Sequence, residues 1–162
     1  MPKDLIIKNI TNMEAVTKGN FAENSSFFEK PVICRKDVDT CTVAFVEVPV
    51  GKCSYSYHWH ERSEEVFYII SGKGRLRTFY GEREVKTGDM ICFPTGEKGV
   101  HAIANASDTE SLVYIDFATK PKTDICVEPD TNQVYIFGEH VSPMTLDLPK
   151  KQQEPLVNFI AD

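Results

Sequence analysis

Four residues carry the types and spacing from which chemistry could be built: His58, His60, Glu65 and His101. His58 and His60 flank Trp59 in a stretch that reads as a β-strand. Side chains alternate along a strand, so both imidazoles would share one face and Trp59 the other. A polar turn over 61–64 leads to a second strand opened by Glu65, with Phe67 and Ile69 on the same face. If the two strands pair as a hairpin, the carboxylate returns beside the histidines. His101 opens a later strand after the loop 96–99. Three imidazoles and one carboxylate converging on one point suit a divalent transition metal. Imidazole matches Zn, Cu, Fe and Ni, and the harder carboxylate extends the range to Mn and Fe.

The surrounding texture is that of a β protein. Thr42–Val48 is rich in β-branched and aromatic residues and ends at Pro49 and Gly51. Similar runs follow at 54–60, 65–70, 75–80, 90–93, 101–104 and 112–117, separated by glycine, proline and asparagine turns. No segment sustains a helical period over ten residues. Short strands without crossover helices imply an all-β, antiparallel sandwich or barrel. The spacing places an N-terminal arm at 1–40, with a turn of helix near Asn12–Lys18, and a barrel at 41–120. It places a C-terminal strand pair and an extended tail at 121–162, in one structural domain. Pro143, Pro149 and Pro155 suggest that the tail wraps the surface.

The run from Gly51 through His58-Trp59-His60 and Glu65 to Gly72 resembles the first motif of the cupin superfamily. The run Gly88 to Asn105, with Pro94, Gly96 and His101, resembles the second. Together they occupy 40 of 162 residues, separated by 15 residues. The resemblance is to small single-domain bacterial cupins. It implies a jelly roll, or double-stranded β-helix, and makes His58, His60, Glu65 and His101 the metal ligands. Glu64 also follows His60, but only Glu65 leaves six residues before Gly72. Six residues rather than five precede His58, and four rather than two separate Gly96 from His101. Both excesses lie in turns, where a β-bulge would absorb them.

Strand parity would put Ser54 and Ser56 on the face of His58, and Phe67, Ile69 and Ile103 with Glu65 and His101. These five form the expected substrate pocket, small and mostly apolar with two hydroxyls. Parity sends Cys53, Tyr55, Tyr57 and Trp59, and likewise Val66, Tyr68 and Ile70, to the opposite face. A sheet apolar on both faces needs a second cover, supplied by the arms or by a second subunit. Because the family commonly dimerises, a homodimer is expected. No catalytic residue separate from the metal site is evident.

A formal net charge of −6 and a pI near 5.3 argue against nucleic acid as a partner. The apolar runs fall far short of the roughly 20 residues that span a bilayer, so no membrane role is expected. The short Leu5-Ile6-Ile7 run is no signal-peptide core. Five cysteines without a CxxC pair read as reduced thiols. A cytoplasmic location follows, and His140 is expected to be solvated. The function implied is that of a metal-binding cupin holding Fe, Mn, Zn or Ni. It would be an oxygenase, isomerase or lyase acting on a small organic acid or carbohydrate-like substrate. The alternative is a non-catalytic protein that captures a small-molecule ligand through the same metal.

Overall fold

The computed structural model describes residues 4–148. Thirteen strands occur among them: β1 Val16–Gly19, β2 Ser26–Ile33, β3 Cys41–Val48, β4 Trp59–His60, β5 Glu65–Ser71, β6 Lys73–Thr78, β7 Gly81–Lys86, β8 Met90–Phe93, β9 His101–Asn105, β10 Leu112–Thr119, β11 Thr123–Glu128, β12 Gln133–Gly138 and β13 Val141–Asp147. All named strand pairs are antiparallel. One wall is a six-stranded sheet ordered β1-β2-β3-β10-β5-β8. The other is made of the sheets β13-β12-β11-β4 and β7-β6-β9. Residues 53–58 join these two through bridges from Cys53 to Ala104 and from His58 to His101. The fold is an all-β, antiparallel jelly roll.

Alternation puts Phe27, Val46, Val48, Phe67, Ile69, Leu112 and Tyr114 on the inner face of the large sheet, each 2% exposed or less. Leu76, Val85 and Ile103 close the cluster from the opposite wall. Burying side chains of this size, at roughly 1.5–3 kcal/mol each, is what holds the walls together.

Several expectations need correction. Asn12–Lys18 holds no helical turn; a 3-10 turn spans Ile10–Asn12, and β1 then pairs with β2 in the register Val16–Glu29. The large sheet therefore starts well before residue 41. β2 is hard to see because its inner Phe27 adjoins an outer Phe28, and Pro31 sits at a register shift. The stretch 54–60 is regular only at Trp59–His60. Freed from strict alternation, Tyr55 turns inward, packs against the core and lies 4.7 Å from the Phe27 ring. The chain after His140 is not a surface wrap as far as Asp147: it is β13, paired with β12. Pro143 is tolerated there because β13 is an edge strand. Pro149 and Pro155 lie outside the described residues.

The extra residues before His101 form a second 3-10 turn, Glu97–Gly99, rather than a bulge. Gly99 is required in it, because a Cβ there would stand 1.8 Å from the Pro94 carbonyl oxygen. Gly99→Ala is expected to force the His101 loop to shift and to cost at least about 1–3 kcal/mol in urea denaturation.

Candidate metal centre

His58 and His101 are placed by the backbone. The His58 N–H donates to the His101 carbonyl (3.1 Å) and the His101 N–H to that of His58 (2.9 Å), bringing their rings to 4.7 Å. His60 lies one turn of alternation further, on β4, which pairs with β11 in the register His60–Cys126. Glu65 does not arrive by a hairpin with the histidine strand. It lies on β5, in the opposite wall, between Ala118 and Phe93, and reaches across the barrel interior.

There one carboxylate oxygen meets three imidazoles. Glu65 Oε2 stands 3.6 Å from His58 Nε2, 3.8 Å from His60 Nε2 and 3.3 Å from His101 Nε2. Each ring donates its other nitrogen elsewhere: His58 Nδ1 to the Ser56 carbonyl (2.8 Å), His60 Nδ1 to Asp124 Oδ2 (2.7 Å), His101 Nδ1 to the Gly99 carbonyl (2.9 Å). The acceptors fix the tautomer, so in the neutral rings Nε2 carries the free lone pair. Glu65 Oε2 and His101 Nε2 are buried with no hydrogen-bond partner among the described residues. Leaving such atoms unpaired is costly, and a cation accepting all four donors removes the cost. The residues present therefore fit a bound metal.

The electrostatics show strong coupling. Burial opposes charge on Glu65, but the adjacent His58 imidazole, with the other two rings, holds its carboxyl down at about 2. Burial also disfavours protonated His58, yet the Glu65 carboxylate 3.6 Å away prevails and its pKa rises. His101 is pushed down to about 3 by burial and by the neighbouring His58 charge. Asp124 loses some solvation, but its bond to His60 lowers its pKa, and it also accepts from the Arg62 N–H (2.9 Å). Asp124 thus orients and polarises His60. Asp124→Asn is expected to weaken metal binding about 10–100-fold, the usual cost of losing such a partner, readable by competitive chelation.

A cavity of about 310 Å³ opens beside His58, His60 and Glu65. Of the expected pocket residues only Ser56 lines it, donating from Oγ to Glu128 Oε1. Ser54, Phe67, Ile69 and Ile103 do not. Ser54 is buried with its Oγ donating to the Ile103 carbonyl, and the three apolar side chains fill the core. The barrel is packed solid at that end, so apolar residues sharing the ligands' face meet one another instead of substrate. Cys53 makes no approach to the site; its thiol donates to the Glu23 carbonyl. His140 is solvated, its side chain 88% exposed.

The cavity's other walls come from residues the sequence reading passed over. Asp116 on β10 lines it, and burial together with the Glu65 charge pushes its carboxyl well above the ordinary range. Cys126 and Glu128 on β11 line it as well, and Cys126 stands close enough to His58 and His60 to form a second candidate ligand trio. A signal was present in β11: Asp124, Cys126 and Glu128 are buried while Thr123 and Ile125 are exposed. Polar residues at every second position opposite apolar ones mark a strand whose inner face lines a polar cavity.

Residues 44–117 match the family model for the cupin domain. A stretch of 58 residues is 41% identical to an uncharacterized protein of Methanocaldococcus jannaschii, covering 36% of this chain and 44% of that protein, less than half its length. Among solved structures, a putative sugar phosphate isomerase from Acidithiobacillus ferrooxidans superposes with a TM-score of 0.76 at 23% identity, over 85% of this chain and 87% of the other. A cupin-superfamily sugar phosphate isomerase from Silicibacter pomeroyi gives 0.72 at 17%, over 91% and 94%. A predicted oxalate decarboxylase from Thermotoga maritima gives 0.64 at 18%, over 72% and 100%. At these identities the structural likeness is one of fold. Fold, motif residues and the domain match over 44–117 together support a small cupin-domain protein. Its His/Glu/Cys cluster could hold a metal, and among the described residues no helix is long and apolar enough to cross a membrane.

Proposed function

We propose that the chain is a metal-dependent enzyme acting on a small organic acid or carbohydrate-like substrate, with the metal held by His58, His60, Glu65 and His101. One observation carries this reading: three imidazole Nε2 atoms, each fixed by an Nδ1 hydrogen bond, converge on one carboxylate oxygen at the edge of a 310 Å³ cavity. Nitrogen and oxygen donors together suit Fe, Mn, Zn or Ni. When bound, such a metal supplies Lewis-acid polarisation of a substrate oxygen.

The protein's own groups do the rest. The cavity's volume, at the lower end for small-molecule sites, admits only a compact substrate head. Burial and the Glu65 charge favour the protonated form of the Asp116 carboxyl on the cavity wall, a position from which a proton can be given to a developing oxyanion. Tyr55 and Phe137 give the cavity part of its apolar wall. Neighbouring folds described as sugar phosphate isomerases and as an oxalate decarboxylase span the carbohydrate and acid alternatives.

The test is elemental analysis of protein purified without chelator, with His58→Ala and His101→Ala variants beside it. Near-stoichiometric metal lost from both variants supports the reading. An empty wild type, even after reconstitution, overturns it. Recovery of a bound compound unchanged after prolonged incubation would favour non-catalytic ligand capture. We place the protein in the cytoplasm, where its five free thiols stay reduced.

A homodimer forms part of the same proposal. Phe45, Ile115, Tyr68 and Met90 stand in one cross-strand row on the outer face of the large sheet, with Tyr68 41% and Met90 71% exposed. A second copy would cover them. Met90→Lys is expected to convert a dimer to a monomer in light scattering; a wild-type monomer at high concentration contradicts the assembly.

A further inference from the structure

Where the cavity meets solvent, its lining turns basic. Arg35 and Phe137 belong both to the cavity and to an open outer groove of about 730 Å³. Lys36, Lys120 and Lys122 join Arg35 along this groove, against the carboxylates of Asp39 and Glu139. Four cations to two anions is the reverse of the chain's overall balance of 18 basic to 24 acidic residues.

The loop carrying Arg35 is held in place. The Lys120 ammonium donates to the carbonyls of Arg35 and Val38 (2.5 and 3.2 Å). Asp37 Oδ2 accepts from the Cys34 N–H (2.9 Å), and Lys8 approaches the same oxygen at 3.5 Å. Lys120 is thereby committed to the loop, leaving Arg35, Lys36 and Lys122 exposed. The Arg35 guanidinium stands 5.7 Å from the centroid of the Phe137 ring, a cation–π placement that steadies it above the cavity mouth.

We propose that this groove anchors the phosphoryl group of a phosphate monoester whose other end enters the metal cavity. The inference rests on the proposed metal-dependent role and specifies its substrate class. A phosphate monoester carries nearly two negative charges at neutral pH and three equivalent oxygens. Arg35 matches two of those oxygens through its planar fork, while Lys36 and Lys122 supply point charges. Groove and cavity share Arg35 and Phe137, so a phosphoryl group held in the groove leaves the rest of the ester facing the metal cavity. Binding at a remote, unreactive group orients the head at the metal, a use of affinity that raises turnover as well as occupancy.

Titration calorimetry of the full chain with glycerol 3-phosphate tests this, with glycerate as a carboxylate comparison. Wild type is expected to bind the phosphate ester, and Arg35→Gln to weaken it about tenfold or more, as loss of a charge-assisted pair does. Lys122→Gln should act in the same direction, and Lys73→Gln, on β6, should have no effect. Because Arg35 is exposed, melting temperature and metal content should match wild type in Arg35→Gln. His60→Ala should keep phosphate binding while losing metal. Unchanged affinity in Arg35→Gln overturns the proposal. So does glycerate binding as tightly as glycerol 3-phosphate. Binding that disappears with the metal in His60→Ala but persists in Arg35→Gln would place the phosphate on the metal instead. Metal content of the wild-type sample reports separately on the metal-dependent role.

Discussion

His101→Ala is expected to empty the site and to cost the fold about 2–5 kcal/mol. The imidazole is 2% exposed and stacks on Phe93 at 3.6 Å with an 11° interplanar angle. Truncation leaves a void beside Phe93 and Phe67 and removes the donor that satisfies the Gly99 carbonyl. Loss of metal from such a variant could follow from the packing defect alone, so Glu65→Gln is the cleaner companion. It conserves shape while removing the carboxylate that faces all three Nε2 atoms. In that variant metal affinity should fall at least about 100-fold, more than loss of an outer partner costs. The charge that raises the His58 pKa disappears too, so that pKa should drop, as NMR titration of the metal-free protein would register. Near-stoichiometric metal in Glu65→Gln, measured by plasma mass spectrometry, would remove Glu65 from the ligand set.

The second large effect concerns acid. In the metal-free protein, His101 refuses a proton down to about 3, whereas the unfolded chain accepts it near 6.5. Its contribution to stability therefore falls as pH drops from 6.5 toward 3. Glu65, held at about 2 against 4.5, adds a loss of the same sign below 4.5. Asp116 opposes them at higher pH: its folded pKa is raised, so the folded state binds the extra proton above 3.8 and gains stability as pH falls toward that value. His58, whose pKa is raised, likewise contributes fully below 6.5 and loses that contribution as pH climbs through its folded value. The Asp116 gain should thus offset part of the His101 loss above pH 4.5, and stability should fall more steeply below it, where Glu65 adds its own loss. Each net proton there is worth about 1.4 kcal/mol per pH unit. Asp116→Asn should unmask the His101 slope and make the decline below pH 6.5 steeper than in wild type. Urea midpoints in the presence of chelator provide the measurement. A wild-type midpoint that rises between pH 4.5 and 3 would contradict the assignment. Metal-loaded protein should resist acid until protons displace the ion.

Much of the site was legible along the chain because its signals are local. His58-Trp59-His60, the run to Gly72 and the run from Gly88 to Asn105 need no knowledge of distant residues. Alternation over 65–70 and 112–117 likewise announces strands wherever they end up. Alternation is less informative where the backbone departs from a strand, as at Tyr55, which turns inward against Phe27.

What the sequence by itself determined is the inventory: a β protein with three imidazoles and a carboxylate at family spacing. Only the tertiary structure decided how they meet. Glu65 reaches the histidines across the barrel, Ser54, Phe67, Ile69 and Ile103 are spent on the core, and β11 brings Asp124 behind His60 with Cys126 and Glu128 beside it. Arg35 arrives at the cavity mouth because Lys120, 85 residues away, holds its carbonyl. The physical reason is that side-chain periodicity belongs to each strand alone. Which strands become neighbours depends on burying apolar faces and pairing backbone groups across the whole chain at once.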